Sequence, residues 1–134
     1  MSPERPPGGG DTHPGGGDCL FCRIVAGAIP SKRVAIPDPA LDRDLFAFED
    51  INPQAPVHLL VIPRRHVASL NEVAEADAPM LGALVTTARR LARERGIDAT
   101  GYRVVINTMA GAGQSVFHLH LHLLGGRPMR WPPG

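Results

Sequence analysis

The segment Phe117-His118-Leu119-His120-Leu121-His122-Leu123 alternates strictly between apolar and imidazole side chains. A period of two belongs to a β-strand, so three histidines share one face while Phe117, Leu119, Leu121 and Leu123 share the other. Such a strand must lie in a sheet covered on its apolar side and open, on the other, to something that uses imidazole. Same-face neighbours stand about 7 Å apart, so two rings can converge on one small group; the outer pair, about 13 Å apart, cannot share one ion without bending. A tolerant, half-exposed surface explains one histidine, not three in register in a chain that holds six.

The remainder of the chain supplies the sheet and its cover. Residues 1–17 hold six glycines, four prolines and almost no apolar side chains, and read as a flexible tail that cannot offset the entropy of ordering it. The domain is therefore expected over 18–134. Asp18 is placed to cap a short helix carrying Phe21, Ile24 and Val25 up to Gly27. Val34 to Ile36 and Leu45 to Glu49 read as strands separated by a Pro37-Asp38-Pro39 loop. Pro53 and Pro56 lack donors and make the following segment an ordered loop, which delivers the chain into the buried strand Val57 to Ile62. A long helix runs from Asp77 to Gly96, with an apolar stripe of Leu81, Leu84, Val85, Ala88, Leu91 and Ala92. Tyr102 to Asn107 and Val116 to Leu124 complete the strands, paired antiparallel across the glycine-bearing loop 108–115. The predicted fold is α+β: about five mostly antiparallel strands with one long and one short helix.

Composition narrows the functional classes. With 134 residues and a formal charge of +1, the chain makes one domain and carries no field that recommends nucleic acid or an anionic membrane as partner. It shows no signal-peptide pattern and no apolar run long enough to span a bilayer. Cys19 and Cys22 are too few for a disulfide framework, and their spacing suits a metal or redox pair. These readings lead to the expectation of a soluble, cytoplasmic protein.

Neutral imidazole attacks phosphorus without a strong base to activate it, giving a phospho-histidine that water later resolves. The loop before the histidine strand, with Asn107, Gly111, Gly113, Gln114 and Ser115, combines backbone N–H groups and small polar side chains suited to cradling phosphate oxygens. Two other readings compete: a catalytic metal held by His118, His120 or His122, and a nucleotide-binding interaction module in which turnover is secondary.

The run His118-Leu119-His120-Leu121-His122-Leu123-Leu124 resembles the signature of the histidine-triad (HIT) superfamily. The chain is most similar to its nucleotide-binding branch, the purine nucleoside phosphoramidases. The likeness extends through Phe48-Glu49-Asp50-Ile51, Pro53-Gln54-Ala55-Pro56, His58-Leu59-Leu60-Val61-Ile62-Pro63, Gly113-Gln114-Ser115-Val116-Phe117 and Trp131-Pro132-Pro133-Gly134. It implies a homodimer with one continuous sheet. It also implies hydrolysis of adenosine 5'-phosphoramidates or aminoacyl-adenylate-like substrates to AMP through a covalent nucleotidyl-histidine, with no cofactor required. By the same resemblance His120 is the nucleophile, His122 donates to a phosphate oxygen, and Ser115 with the Gly113 backbone stabilises phosphate and leaving group. His118 and His58 complete the catalytic set. Asn107 and Gln114 fall on the phosphate side, and Asp50 on the ribose hydroxyls. Phe21, Phe48 and Ile51 match the walls of a purine pocket, and Trp131 a residue that reaches the partner's site.

Some relatives carry a structural zinc, and the matching set here is Cys19, Cys22, His58 and His118. Two departures stand out. Thr108-Met109-Ala110-Gly111-Ala112 is more apolar than the corresponding loop of many relatives, and Arg130 replaces a histidine found in some of them.

Overall fold

The computed structural model describes residues 18–134; the expected tail over 1–17 lies outside them. Five strands form one antiparallel sheet in the order β1-β2-β3-β5-β4, with β1 Arg33–Val34, β2 Leu45–Glu49, β3 Val57–Pro63, β4 Tyr102–Val105 and β5 Leu121–Gly125. The helices are α1 Leu20–Val25, α2 Pro39–Asp44 and α3 Ala78–Glu94.

Alternation along the strands divides the sheet into two faces. Leu45 and Ala47 of β2, Leu59 and Val61 of β3, and Leu121 and Leu123 of β5 join Leu84, Ala88, Leu91 and Ala92 of α3 in the main core. Each such leucine, fully withdrawn from water, contributes about 1.5–3 kcal/mol. The opposite face carries Phe46, Phe48, Leu60 and Ile62, closed by Cys19, Phe21 and Ile24 of the α1 segment. Because both faces of β2 and β3 are covered, those strands read as unbroken apolar runs. The stripe on α3 is rotated slightly from its expected position: Thr87 is buried, while Val85 is 52% exposed.

Several boundaries differ from expectation. The Pro37-Asp38-Pro39 segment opens α2, whose N-cap Asp38 accepts the Ala40 N–H at 2.9 Å and whose Pro39 occupies a first-turn position where its missing donor costs nothing. Cys19, rather than Asp18, is the N-cap of α1. The carboxylate of Asp77 does not cap α3 but turns back to the Ala74 N–H at 3.1 Å and to Arg65 at 2.8 Å. The most consequential difference concerns the histidine segment. It was expected to be strand from Val116, yet the ladder between β3 and β5 begins at Val61↔Leu121. Upstream of that pair the chain leaves the sheet, and the Leu119 N–H donates to the Val67 carbonyl at 2.6 Å instead. His118 and His120 therefore sit on irregular backbone just off the end of the sheet, where their rings and carbonyls have partners other than a neighbouring strand.

Candidate active site

In His58, His118 and His120 one ring nitrogen is assigned by a backbone group, which fixes where the proton lies. His120 sits at 7% exposure, with Nδ1 2.7 Å from the His118 carbonyl. A carbonyl only accepts, so Nδ1 carries the proton and Nε2 presents a lone pair. Burial lowers the pKa of His120 and favours the neutral ring.

His118 is set the opposite way round. Its Nε2 donates to the Pro63 carbonyl at 2.8 Å, so Nδ1 presents a lone pair, and Cys19 Sγ and Cys22 Sγ each lie 3.4 Å from it. Burial pushes this histidine down to about 4. His66 completes the group: its Nδ1 lies 3.4 Å from Cys22 Sγ, and the ligand atoms of Cys19, Cys22, His66 and His118 all lie within 4.8 Å of one another. Burial, with Cys19 adding to it, raises the Cys22 thiol to about 11.

His58 is not part of this group, which corrects the ligand set expected from the sequence. The strand rise of about 3.3 Å per residue puts His58 roughly 17 Å from Pro63, at the other end of β3 from the cysteines. It meets His122 instead, Nε2 to Nδ1 at 2.9 Å, with Asp50 Oδ2 3.3 Å from the same Nε2. On its other side His58 Nδ1 accepts the Gln54 N–H at 3.0 Å. Nδ1 therefore carries no proton, Nε2 does, and that proton is donated to His122 Nδ1. His122 must then be protonated on Nε2, the edge turned away from His58. Burial lowers both histidines, His122 to about 4, although the Asp50 carboxylate opposes the shift in each. Asp50, His58 and His122 also offer ligand atoms within 4.8 Å, but the direct ring-to-ring hydrogen bond occupies the two nitrogens an ion would need.

The rings of His120 and His122 meet edge to face at 5.0 Å, so the two imidazoles are adjacent. Phe21 packs edge-on to His120 at 5.1 Å and to Phe48 at 5.3 Å, and both phenyl rings are buried. Ile51, beside Asp50, is fully exposed. The Asp50 carboxylate also accepts the Asn52 N–H at 2.8 Å.

The loop before the histidines has a more definite shape than a flexible cradle. Asn107 is half-buried where the chain leaves β4, and Ala110–Ala112 forms a 3-10 turn. The Gly113 and Gln114 N–H groups close onto the Ala110 and Met109 carbonyls. The Gln114 side chain, expected to face the ligand, is buried: it accepts the Met109 N–H at 2.8 Å and donates to the Ala68 and Val116 carbonyls. Gly113, at φ +93°, turns the chain, and Ser115 follows as an exposed polar side chain. Trp131 is 84% exposed. It lies next to Arg130, whose carbonyl accepts from Arg103 on β4 at 2.8 Å. A cleft of about 630 Å³ between α2 and the start of α3, with Arg43, Arg64, Arg65 and Asp77 in its wall, contains none of these residues.

His66 escaped the sequence reading because it lies outside the alternating segment and eight positions beyond His58. The usable signal was Pro63, which ends β3 and turns the next residues back towards the α1 side.

Residues 40–129 match the HIT domain model. An uncharacterised HIT-like protein of Synechococcus elongatus is 45% identical over 117 residues, 87% of this chain and 97% of that one. Protein pkiA of Dictyostelium discoideum is 46% identical over 121 residues, 87% of this chain and 90% of that one. Among solved structures, a HIT family hydrolase from Legionella pneumophila superposes with a TM-score of 0.81 at 48% identity, covering 87% of this chain and all of that one. A histidine triad protein from Clostridium difficile gives 0.77 at 38% identity, covering 84% and 94%.

Proposed function

The chain belongs to the HIT domain family, and from that premise we propose that it is a purine nucleoside phosphoramidase, hydrolysing adenosine 5'-phosphoramidates or aminoacyl-adenylate-like substrates to AMP. The observation that carries the reading is the tautomer of His120, whose Nδ1–H is held by the His118 carbonyl so that Nε2 is free to attack. In the first step Nε2 forms a bond to the α-phosphorus and the P–N or P–O bond to the leaving group breaks. An amine leaving group takes a proton from solvent as it departs, a carboxylate leaves as the anion, and the AMP moiety stays on His120 as a phosphoimidazolium whose hydrolysis returns a proton to solvent. Water then attacks the same phosphorus and releases AMP with the ring restored. His122 donates its Nε2–H to a phosphate oxygen, with Ser115 and the Gly113 turn beside it; such aimed donors are worth several kcal/mol in a site that excludes water. Asp50 accepts from the ribose hydroxyls, and Phe21, Phe48 and Ile51 flank the base.

The test is intact mass after rapid quench with an adenosine phosphoramidate. An AMP adduct that maps to His120 and vanishes in His120→Ala is expected. Equal turnover in the two proteins would sink the reading.

The group Cys19, Cys22, His66 and His118 fits zinc on its chemistry. In a tetrahedron with Zn–S near 2.3 Å and Zn–N near 2.0 Å, sulfur and nitrogen stand about 3.5 Å apart, close to the 3.4 Å contacts seen here. Four protein ligands leave no open position, so the ion would fasten α1 to the histidine segment without taking part in turnover. Free thiols of this kind accord with a reducing compartment such as the cytoplasm. No helix among the described residues is long and apolar enough to cross a membrane. We further propose a homodimer that extends the sheet through β4, an edge strand on which Tyr102 and Val104 alternate at 37% exposure each. Sedimentation of Val104→Lys, expected to be monomeric, checks it.

A further inference from the structure

The chain of proton assignments that ends on His122 begins outside the site, at the peptide of residue 54, and something must hold that peptide still. Gln54 lies between two prolines in a segment with no ladder partner. Three contacts fix it. Its N–H donates to His58 Nδ1 at 3.0 Å, its side-chain amide donates to the Asn52 carbonyl at 3.1 Å, and its carbonyl accepts Arg127 Nε–H at 2.9 Å. Arg127 is anchored in turn, its NH1 donating to the Pro128 carbonyl at 3.0 Å. It stands directly after the turn that ends β5, and that turn fits against the loop: a Cβ on Gly126 would lie 3.0 Å from Pro56 Cβ, so the proline ring packs on the turn with little space for a side chain. Arg127 is exposed and has no contact with His58 or His122 among those described.

We propose that Arg127 is a positioning residue which, by holding the Gln54 carbonyl and so the backbone angles of residue 54, acts with Asp50 to select the His58 tautomer and thereby keeps the proton of His122 on Nε2, where the phosphate needs a donor. With the clamp in place, a proton on His58 Nδ1 would face the Gln54 N–H, donor against donor. Without it residue 54 keeps its side-chain contact to Asn52, its N–H can leave His58 Nδ1, and His58 can adopt the other tautomer against the opposition of Asp50 Oδ2 alone, 3.3 Å from its Nε2. It then accepts from His122 Nδ1–H, and His122 Nε2 becomes a lone pair pointed at an anion. The functional half of this inference rests on the phosphoramidase reading; the tautomeric half does not, and the experiment separates them.

The full-length protein is labelled with 15N-histidine, and the imidazole spectra of the wild type, Arg127→Met and Arg127→Lys are compared at pH 7.5. His122 in the wild type is expected wholly as the Nε2–H form. Arg127→Met, which keeps the aliphatic stem but no donor, is expected to show a mixture, and Arg127→Lys, which retains an N–H donor, to lie between them. Turnover of the phosphoramidate by Arg127→Met is expected to fall about three- to tenfold in kcat, the equivalent of one lost hydrogen bond, with KM nearly unchanged. A His122 spectrum in Arg127→Met identical to wild type overturns the proposal, whatever the turnover. A changed tautomer with unchanged kcat overturns the role in catalysis and leaves the clamp. Absence of activity in the wild type speaks against the phosphoramidase reading alone.

Discussion

Met109 has φ 70° and ψ 169°, a backbone region that an L side chain enters only when its surroundings compel it. The compulsion is visible: its N–H is held by Gln114 Oε1 at 2.8 Å, and its carbonyl accepts from the Ala112 and Gln114 N–H groups at 3.1 Å each. Such a residue costs about 1–3 kcal/mol of strain, whereas glycine at an ordinary position is roughly 0.5–1 kcal/mol worse than alanine through unfolded-state entropy. Comparing Met109→Gly with Met109→Ala removes the methionine side chain from the account, since both lack it, and leaves strain minus glycine entropy. The glycine variant should therefore be the more stable of the two by about 1 kcal/mol, near 4 °C in melting temperature for a domain of this size. The measurement is urea and thermal unfolding at matched protein concentration, because self-association would shift both curves. Alanine more stable than glycine, the ordinary order, refutes the reasoning and means that the loop relaxes to another conformation.

Three more outcomes follow from the same contacts. Gln114→Leu leaves the Met109 N–H and the Ala68 and Val116 carbonyls without their partner and should cost roughly 2–4 kcal/mol in urea unfolding; a loss below about 0.5 kcal/mol would count against it. Metal analysis of protein purified from zinc-supplemented cells should give one zinc in the wild type and in His58→Gln but little in Cys22→Ser or His66→Ala, and equal losses in the two histidine variants would reject the assignment. Acid stability should report His122: its unfolded pKa is near 6.5 and its folded value about 4, so the unfolded chain takes up the proton first. Stability is then full above pH 6.5, declines as pH falls, and levels off below about 4, the loss being bounded at roughly 3 kcal/mol. His122→Gln should flatten that slope, and a slope that persists unchanged assigns it to other histidines.

The strands and the long helix were legible because they follow short-range rules. Leu119, Leu121 and Leu123 alternate into the core as the sequence pattern required, and the α3 stripe differs only in exchanging Val85 for Thr87. Helix α2 was masked by its own cap, since Asp38 and Pro39 read equally well as a turn and as a helix start. The ligand set went astray for a geometric reason: which end of β3 faces the cysteines depends on how α1 folds over the sheet, and the local pattern offers only the stop at Pro63 as a signal. With α1 against Phe48, Leu60 and Ile62, Pro63 and His66 come near the thiols while His58 is left with Asp50 and His122.

The departure of the chain from the sheet at Leu121 explains why three histidines in register do three different things. Within a ladder the carbonyl of His118 would face a neighbouring strand and be unavailable to the His120 ring. Outside it, that carbonyl accepts His120 Nδ1–H, while the His118 ring reaches the Pro63 carbonyl with one nitrogen and the thiols with the other. His122, still within β5 and paired across from Leu60 and Val105, can reach only sideways along the sheet face, where His58 stands. One ring thus becomes a candidate nucleophile, one a candidate metal ligand and one a candidate donor, and in each the choice is traced to a backbone group: the carbonyl of residue 118 two positions away, the carbonyl of residue 63, or the N–H of residue 54 acting through His58. Substitutions that displace those peptides should alter the chemistry of an imidazole they never touch.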